Sequence, residues 1–181
     1  MISAIYGKEM QASVKSGAIP VSLVDASVRR VLKAKKDLGL FEDPYRYSDP
    51  QREKARTLTE ESRALAREAA GQSIVLLKNE GPVLPLRKDV SSIAVVGALA
   101  VDTRAVLGSW PGLGQPTDAV SVLDGIRRAV SDKTRVTYAR GAAATSVDRS
   151  GFDEAERAAR EADVVVAVIG EIEDMSGEAR S

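Results

Sequence analysis

Four carboxylates, Glu171, Glu173, Asp174 and Glu178, fall within eight residues in the segment GEIEDMSGEARS. They follow the most apolar run of the chain, DVVVAVIG (163–170). Carboxylates at the end of such a run can move protons, hold a cation or grip sugar hydroxyls. By spacing alone, however, an acidic Gly-containing segment is better read as a solvated turn, with Met175 packing inside the loop. The single tryptophan, Trp110, lies in Gly108-Ser109-Trp110-Pro111-Gly112. Glycine and proline on both sides place it in an irregular loop. There an indole is either a platform for a sugar face or a cover over a sheet edge, and the residues leave both open.

What is absent narrows the chemistry. The chain has 181 residues with no cysteine and no histidine, so thiolate nucleophiles, disulfides and the commonest metal ligand are all missing. Acid–base work must fall to carboxylates, Lys or Tyr, and no cofactor or metal site is implied. Lys+Arg and Asp+Glu both number 26, which gives no general attraction to nucleic acid or to an anionic membrane. The basic run Arg29, Arg30, Lys33, Lys35 and Lys36 reads as the solvated face of a helix. The glycines of VVGALA and PGLGQ form neither G-x-G-x-x-G nor a Walker loop, which sets nucleotide binding aside. The first twenty residues have no signal-peptide pattern, and the longest apolar run is too short to span a bilayer. Compartment stays open among periplasmic, secreted and cytoplasmic.

The elements that would position these loops follow from periodicity. Tyr6, Met10 and Val14 recur at four-residue spacing in a first helix that Gly17 can end. After Pro20 a second helix carries Val24, Val28, Val31, Leu32 and Leu38 on one face. Ser22 with Asp25 resembles a capping box, and Gly39 suits the left-handed C-terminal position. Residues 43–58 lack an apolar period and read as a linker. Thr59 is the expected N-cap of a helix running to about Gly71. Beyond it, SIVLLKN (73–79), SIAVVGALA (92–100), RVTYAR (135–140) and DVVVAVIGE (163–171) read as strands, while 120–130 and 152–161 read as helices. Apolar strands alternating with helices predict an α/β fold with a parallel sheet covered on both faces. Ligands of such sheets lie beyond the carboxyl ends of the strands, so the loops after Gly97 and Gly170 matter most. The final strand has neither a following crossover helix nor a neighbour after it, and the chain is expected to be a piece of a longer polypeptide.

In their order and spacing these segments resemble family 3 glycoside hydrolases, of the bacterial β-glucosidase and β-xylosidase type. The resemblance rests on VRRVLKAKKDLGLFEDPY (28–45), AREAAGQSIVLLKNEGPVLPL (66–86), IAVVGALA (93–100), GSW (108–110), SVLDGI (121–126) and VVVAVIGEIEDMSGEARS (164–181). It implies a (β/α) barrel followed by an α/β sandwich, with the active site between them. On that template residues 1–42 are the C-terminal tail of the barrel domain, 43–72 the interdomain linker and helix, and 73–181 the N-terminal part of the sandwich.

The resemblance further implies a retaining exo-acting hydrolase working on terminal β-D-glucosyl residues, with a β-linked oligosaccharide or aryl glycoside as substrate. The family's nucleophile is an Asp of the barrel, upstream of Met1, and no residue here takes its place. Its acid/base is a Glu in the sandwich loop, which falls on Glu178 of SGEARS. Glu171 then reads as a supporting carboxylate, Arg180 and Ser181 as positioners of the loop, and Trp110 as an aglycone-side platform that binds substrate. Because the nucleophile is missing, a non-catalytic carbohydrate-binding or assembly module on the same scaffold stands as the alternative.

Overall fold

The computed structural model describes residues 5–81 and 83–175. The chain divides into two compact units, Met1–Val75 and Leu76–Ser181.

The first unit is helical. Helix α1 spans Ile5–Lys15, and Gly17 beyond it adopts a left-handed φ of 77°. Helix α2, Val21–Asp37, starts from Pro20, which has no side-chain cap bond. Ser22 therefore lies inside the helix rather than capping it. Proline with its fixed φ sets the first turn in place of the expected capping box. At the other end Gly39, at φ 69°, donates to Lys36 O, and Leu40 donates to Lys35 O, the paired bonds that close a helix with a glycine. The predicted apolar stripe of α2 is present, but Val28, Val31, Leu32 and Leu38 are exposed.

Within the expected linker the chain forms a short helix, α3, over Pro50–Arg56. Asp49 Oδ1 accepts hydrogen bonds from the backbone N–H groups of Gln51 (3.0 Å) and Arg52 (2.9 Å), and Pro50 occupies the first helical turn. This Asp-Pro start is readable, but about two turns of helix, all of charged or polar residues apart from Pro50 and Ala55, show no apolar period. Helix α4, Glu60–Ser73, begins at Thr59 as expected, whose hydroxyl accepts from Ser62 N.

The second unit holds a three-stranded parallel sheet in the order β2-β1-β3, with β1 at Ser92–Val96, β2 at Arg135–Ala139 and β3 at Val164–Ala167. A short 3-10 turn (Ala98–Ala100) and helix α5 (Arg104–Leu107) follow β1. Helix α6 (Val122–Ala129) leads to β2, and α7 (Phe152–Arg160) leads to β3.

Ile93 and Val95 of β1 are fully buried and cluster with Ala100 and Leu123, packed by Ile126, Val136, Tyr138, Val164 and Val166. Because side chains alternate along a strand, Ala94 and Val96 face the opposite way. There α7 packs on β1 and β2. Each face of the central strand is thus covered by a different helix. β3 departs from that expectation. Val164 and Val166 join the core, but Val165 is 46% exposed, since α7 packs mainly over β2 and β1.

The segment 73–79 is not a strand. Ser73 ends α4, and 74–80 runs without ladder partners, leaving Leu77 92% exposed. Val, Ile and Leu favour a pleated, half-buried surface, but that preference makes a strand only where a sheet edge accepts it. No helix among the described residues is long and apolar enough to cross a membrane.

Candidate functional site

The strand order sets where a site can form. From β1 the chain crosses by α6 to β2 on one side, then returns by α7 to β3 on the other side of β1. The order reverses at β1, so the loops after the adjacent strands β1 and β3 flank a crevice at the carboxyl edge of the sheet.

Gly97 is the hinge of the first loop. Its φ is 126°, and a β carbon there would lie 2.1 Å from Val168 O. Around it, Gly97 N donates to Ala139 O (3.1 Å) and Val168 N donates to Val96 O (2.7 Å). Only glycine permits all three chain segments to converge at this end of the sheet. The opposite edge is tied by Ser92, whose hydroxyl donates to Asp163 Oδ2 (2.8 Å) and accepts from Asp163 N (3.0 Å).

Beyond Gly97, Asp102 Oδ1 accepts from Arg104 N (2.8 Å) and Ala105 N (2.9 Å), setting the start of α5. Arg104 then reaches across to the loop after β3, where its Nε donates to Glu173 Oε1 in an ion pair. The Glu173 side chain is 14% exposed. That hydrogen bond, together with the negative charges of Glu173, Asp174 and Asp102, holds the Arg104 guanidinium above its ordinary pKa. Ser109 Oγ donates to the backbone carbonyl of Glu173 (2.8 Å). One residue of the β3 loop is therefore gripped at two atoms by the β1 loop, and Met175 N closes a turn onto Ile172 O (3.0 Å) just after it.

The structure ties the loop that bears Trp110 to the acidic loop after β3. Trp110 directly follows Ser109, placing it on the loop bound to Glu173, and its side chain is 79% exposed. Among the described residues its indole is not packed over the sheet edge. Glu171 and Asp174 are exposed, and Met175 is 43% exposed rather than packed within the loop. Glu178, Arg180 and Ser181 lie outside the described residues. Among the described residues no group of three or more His, Cys, Asp or Glu is placed to hold a metal ion.

Sequence reasoning missed Arg104 and Ser109. Their local signal is confined to the Asp102 cap and the Gly108 turn, and neither names a partner more than sixty residues away. The β1-loop/β3-loop junction is thus a paired scaffold at the crevice mouth, with an exposed aromatic on one arm and a charge-locked glutamate on the other.

Comparison with known proteins identifies the scaffold. Residues 74–181 match the glycosyl hydrolase family 3 C-terminal domain. The chain is 40% identical to the periplasmic beta-glucosidase of Salmonella typhimurium, covering all of this chain and 26% of that protein. It is 38% identical to a beta-xylosidase of Formosa agariphila, covering 86% of this chain and 22% of that one. Among solved structures, beta-glucosidase from Listeria innocua in complex with glucose superposes with a TM-score of 0.74 at 36% identity, over 99% of this chain and 24% of that one. The chain therefore spans about a quarter of the length of the relatives it matches. The match across the whole sheet-bearing unit, with the strand, loop and helix pattern described above, establishes that this chain belongs to glycosyl hydrolase family 3.

Proposed function

We infer that the chain is part of a retaining, exo-acting β-glycosidase that removes terminal β-D-glucosyl residues, and that Glu178 is its general acid/base. The observation that carries this reading is the family match over the sheet-bearing unit, whose β3 loop leads, through the anchored Glu173, into the segment bearing Glu178. Support for the substrate comes from the relatives: the Listeria innocua beta-glucosidase was solved with glucose and with gluconolactone. On the same reading, residues 1–42 belong to the end of a barrel domain, 43–72 connect it, and 73–181 begin the sandwich. The exposed apolar stripe of α2 is what a helix displays when part of its packing partner lies elsewhere in the polypeptide.

The chemistry takes two steps. Protonated Glu178 gives its proton to the glycosidic oxygen while a barrel aspartate attacks the anomeric carbon. The C–O bond breaks, and the aglycone leaves as an alcohol. The Glu178 carboxylate then takes a proton from water as the water oxygen bonds to the anomeric carbon, which frees the aspartate and restores the acid. Trp110 offers a flat apolar face to the departing group.

The test is Glu178→Ala in a complete enzyme, made by setting these 181 residues in place of the matching segment of a whole family 3 β-glucosidase. The expected result is a fall in kcat of about 10²–10⁴. Azide should restore turnover and yield a glucosyl azide, and kcat/KM on a dinitrophenyl glucoside should be largely retained. Unchanged kcat in the variant removes Glu178 from the role. Sugar binding without hydrolysis in the complete protein would favour a non-catalytic module instead.

A further inference from the structure

We propose that Arg104 and Ser109 are positioning residues of the catalytic centre, acting through Glu173 to aim the segment that delivers the acid/base. The proposal rests on the reading of Glu178 given above.

Its basis is that two contacts from one loop seize different parts of a single residue in another. Arg104 Nε donates to the Glu173 carboxylate, and Ser109 Oγ donates to the Glu173 carbonyl at 2.8 Å. One bond fixes a point, whereas two bonds to the side chain and the main chain also fix the direction in which the backbone leaves. The donors are themselves held. Asp102 caps the backbone at Arg104 and Ala105, and Gly108, at φ 70°, turns the chain immediately before Ser109.

Glu178 lies five residues beyond Glu173, and five residues span at most about 18 Å when fully extended. A free loop root would let that reach sweep a large volume. A root fixed in place and heading restricts it, which lowers the entropy lost when the carboxyl group meets the glycosidic oxygen. An exposed ion pair ordinarily contributes little to stability. The Glu173 carboxylate, however, is largely buried at this contact, its side chain only 14% exposed.

The experiment uses the same complete enzyme and the variants Arg104→Ala, Arg104→Lys, Ser109→Ala and Glu173→Gln. Each is assayed by kcat/KM, which reports the glycosylation step, on phenyl and on 2,4-dinitrophenyl β-glucoside. Phenoxide needs the proton and dinitrophenoxide does not. A misaimed acid predicts a loss on the order of ten- to a hundredfold on the phenyl substrate for Arg104→Ala. The dinitrophenyl substrate should change less than about threefold, and Arg104→Lys should recover part of the phenyl activity. Glu173→Gln keeps the shape of the side chain and an oxygen for Arg104 Nε but removes the charge, so it should show a smaller selective loss in the same direction even if Arg104→Ala folds poorly.

Equal losses on both substrates, or losses that track a fall in Tm, would make the contacts a support of the fold and overturn the proposal. So would unchanged kinetics in all four variants while Glu178→Ala shows azide-rescued loss, an outcome that leaves the acid/base reading intact. If Glu178→Ala itself is fully active, the acid/base reading fails first and the positioning role falls with it.

Discussion

Gly97 shows how one residue can decide the shape of a site it never touches. At φ 126° it stands where β1 ends, between the main chains extending from β2 and β3, with space for hydrogen but not for carbon. Gly97→Ala would place a β carbon 2.1 Å from Val168 O in a backbone region that L residues avoid. The expected cost exceeds about 3 kcal/mol, read as a lowered urea midpoint. The amide resonances of 96–100 and 166–170 should be the ones displaced. Glu173 illustrates the opposite legibility. Its type and its place in an acidic loop were evident, but its role depends on Arg104 and Ser109, which are 69 and 64 positions away. Separation of that size leaves no local pattern, and on spacing alone the loop reads as solvated.

Elements were read well where their signal was periodic or chemically capped. α6 is an example: Ser121 Oγ accepts from Asp124 N (3.1 Å) and donates to Asp124 Oδ2 (2.8 Å), while Leu123 and Ile126 turn into the core. Ser121→Ala should cost about 1 kcal/mol through loss of this cap. Denaturant titration followed at α6 amides would check it, and Ser121→Asn should recover most of the loss. Two elements escaped. α3 is too short to show a period, and only its Asp49-Pro50 start marks it. The run 74–80 has strand composition without a strand, because a ladder requires an edge to pair with, and composition cannot supply the edge. β3 was expected to be covered on both faces. It is covered on one, since coverage depends on which strands α7 crosses rather than on the apolarity of β3 itself.

At the scale of the whole molecule, the two units carry different kinds of evidence. The sheet-bearing unit matches the family's C-terminal domain and has its own core. The helical unit presents apolar side chains to solvent along α2. Under the proposed function, the 181 residues alone should release no nitrophenol from an aryl β-glucoside at any enzyme concentration. The same residues set in place of the matching segment of a whole family 3 β-glucosidase should do so, and the rate of release measures the difference. Hydrolysis by the chain alone would require a nucleophile within it and would overturn the division of labour proposed here.

The parallel α/β class, the order of the main helices and strands, and the family itself were all legible in the amino-acid sequence. Each depends on short-range periodicity, on turn chemistry or on the serial order of motifs, and these are local properties that survive without coordinates. The reversal of strand order at β1, the open face of β3, the exposure of Trp110 and the grip of Arg104 and Ser109 on Glu173 came only from the tertiary structure. All four are consequences of which distant segments come to lie side by side. That adjacency is selected by the packing of the entire core rather than by any one segment, and it is what anchors Glu173 of the acidic loop to the loop after β1.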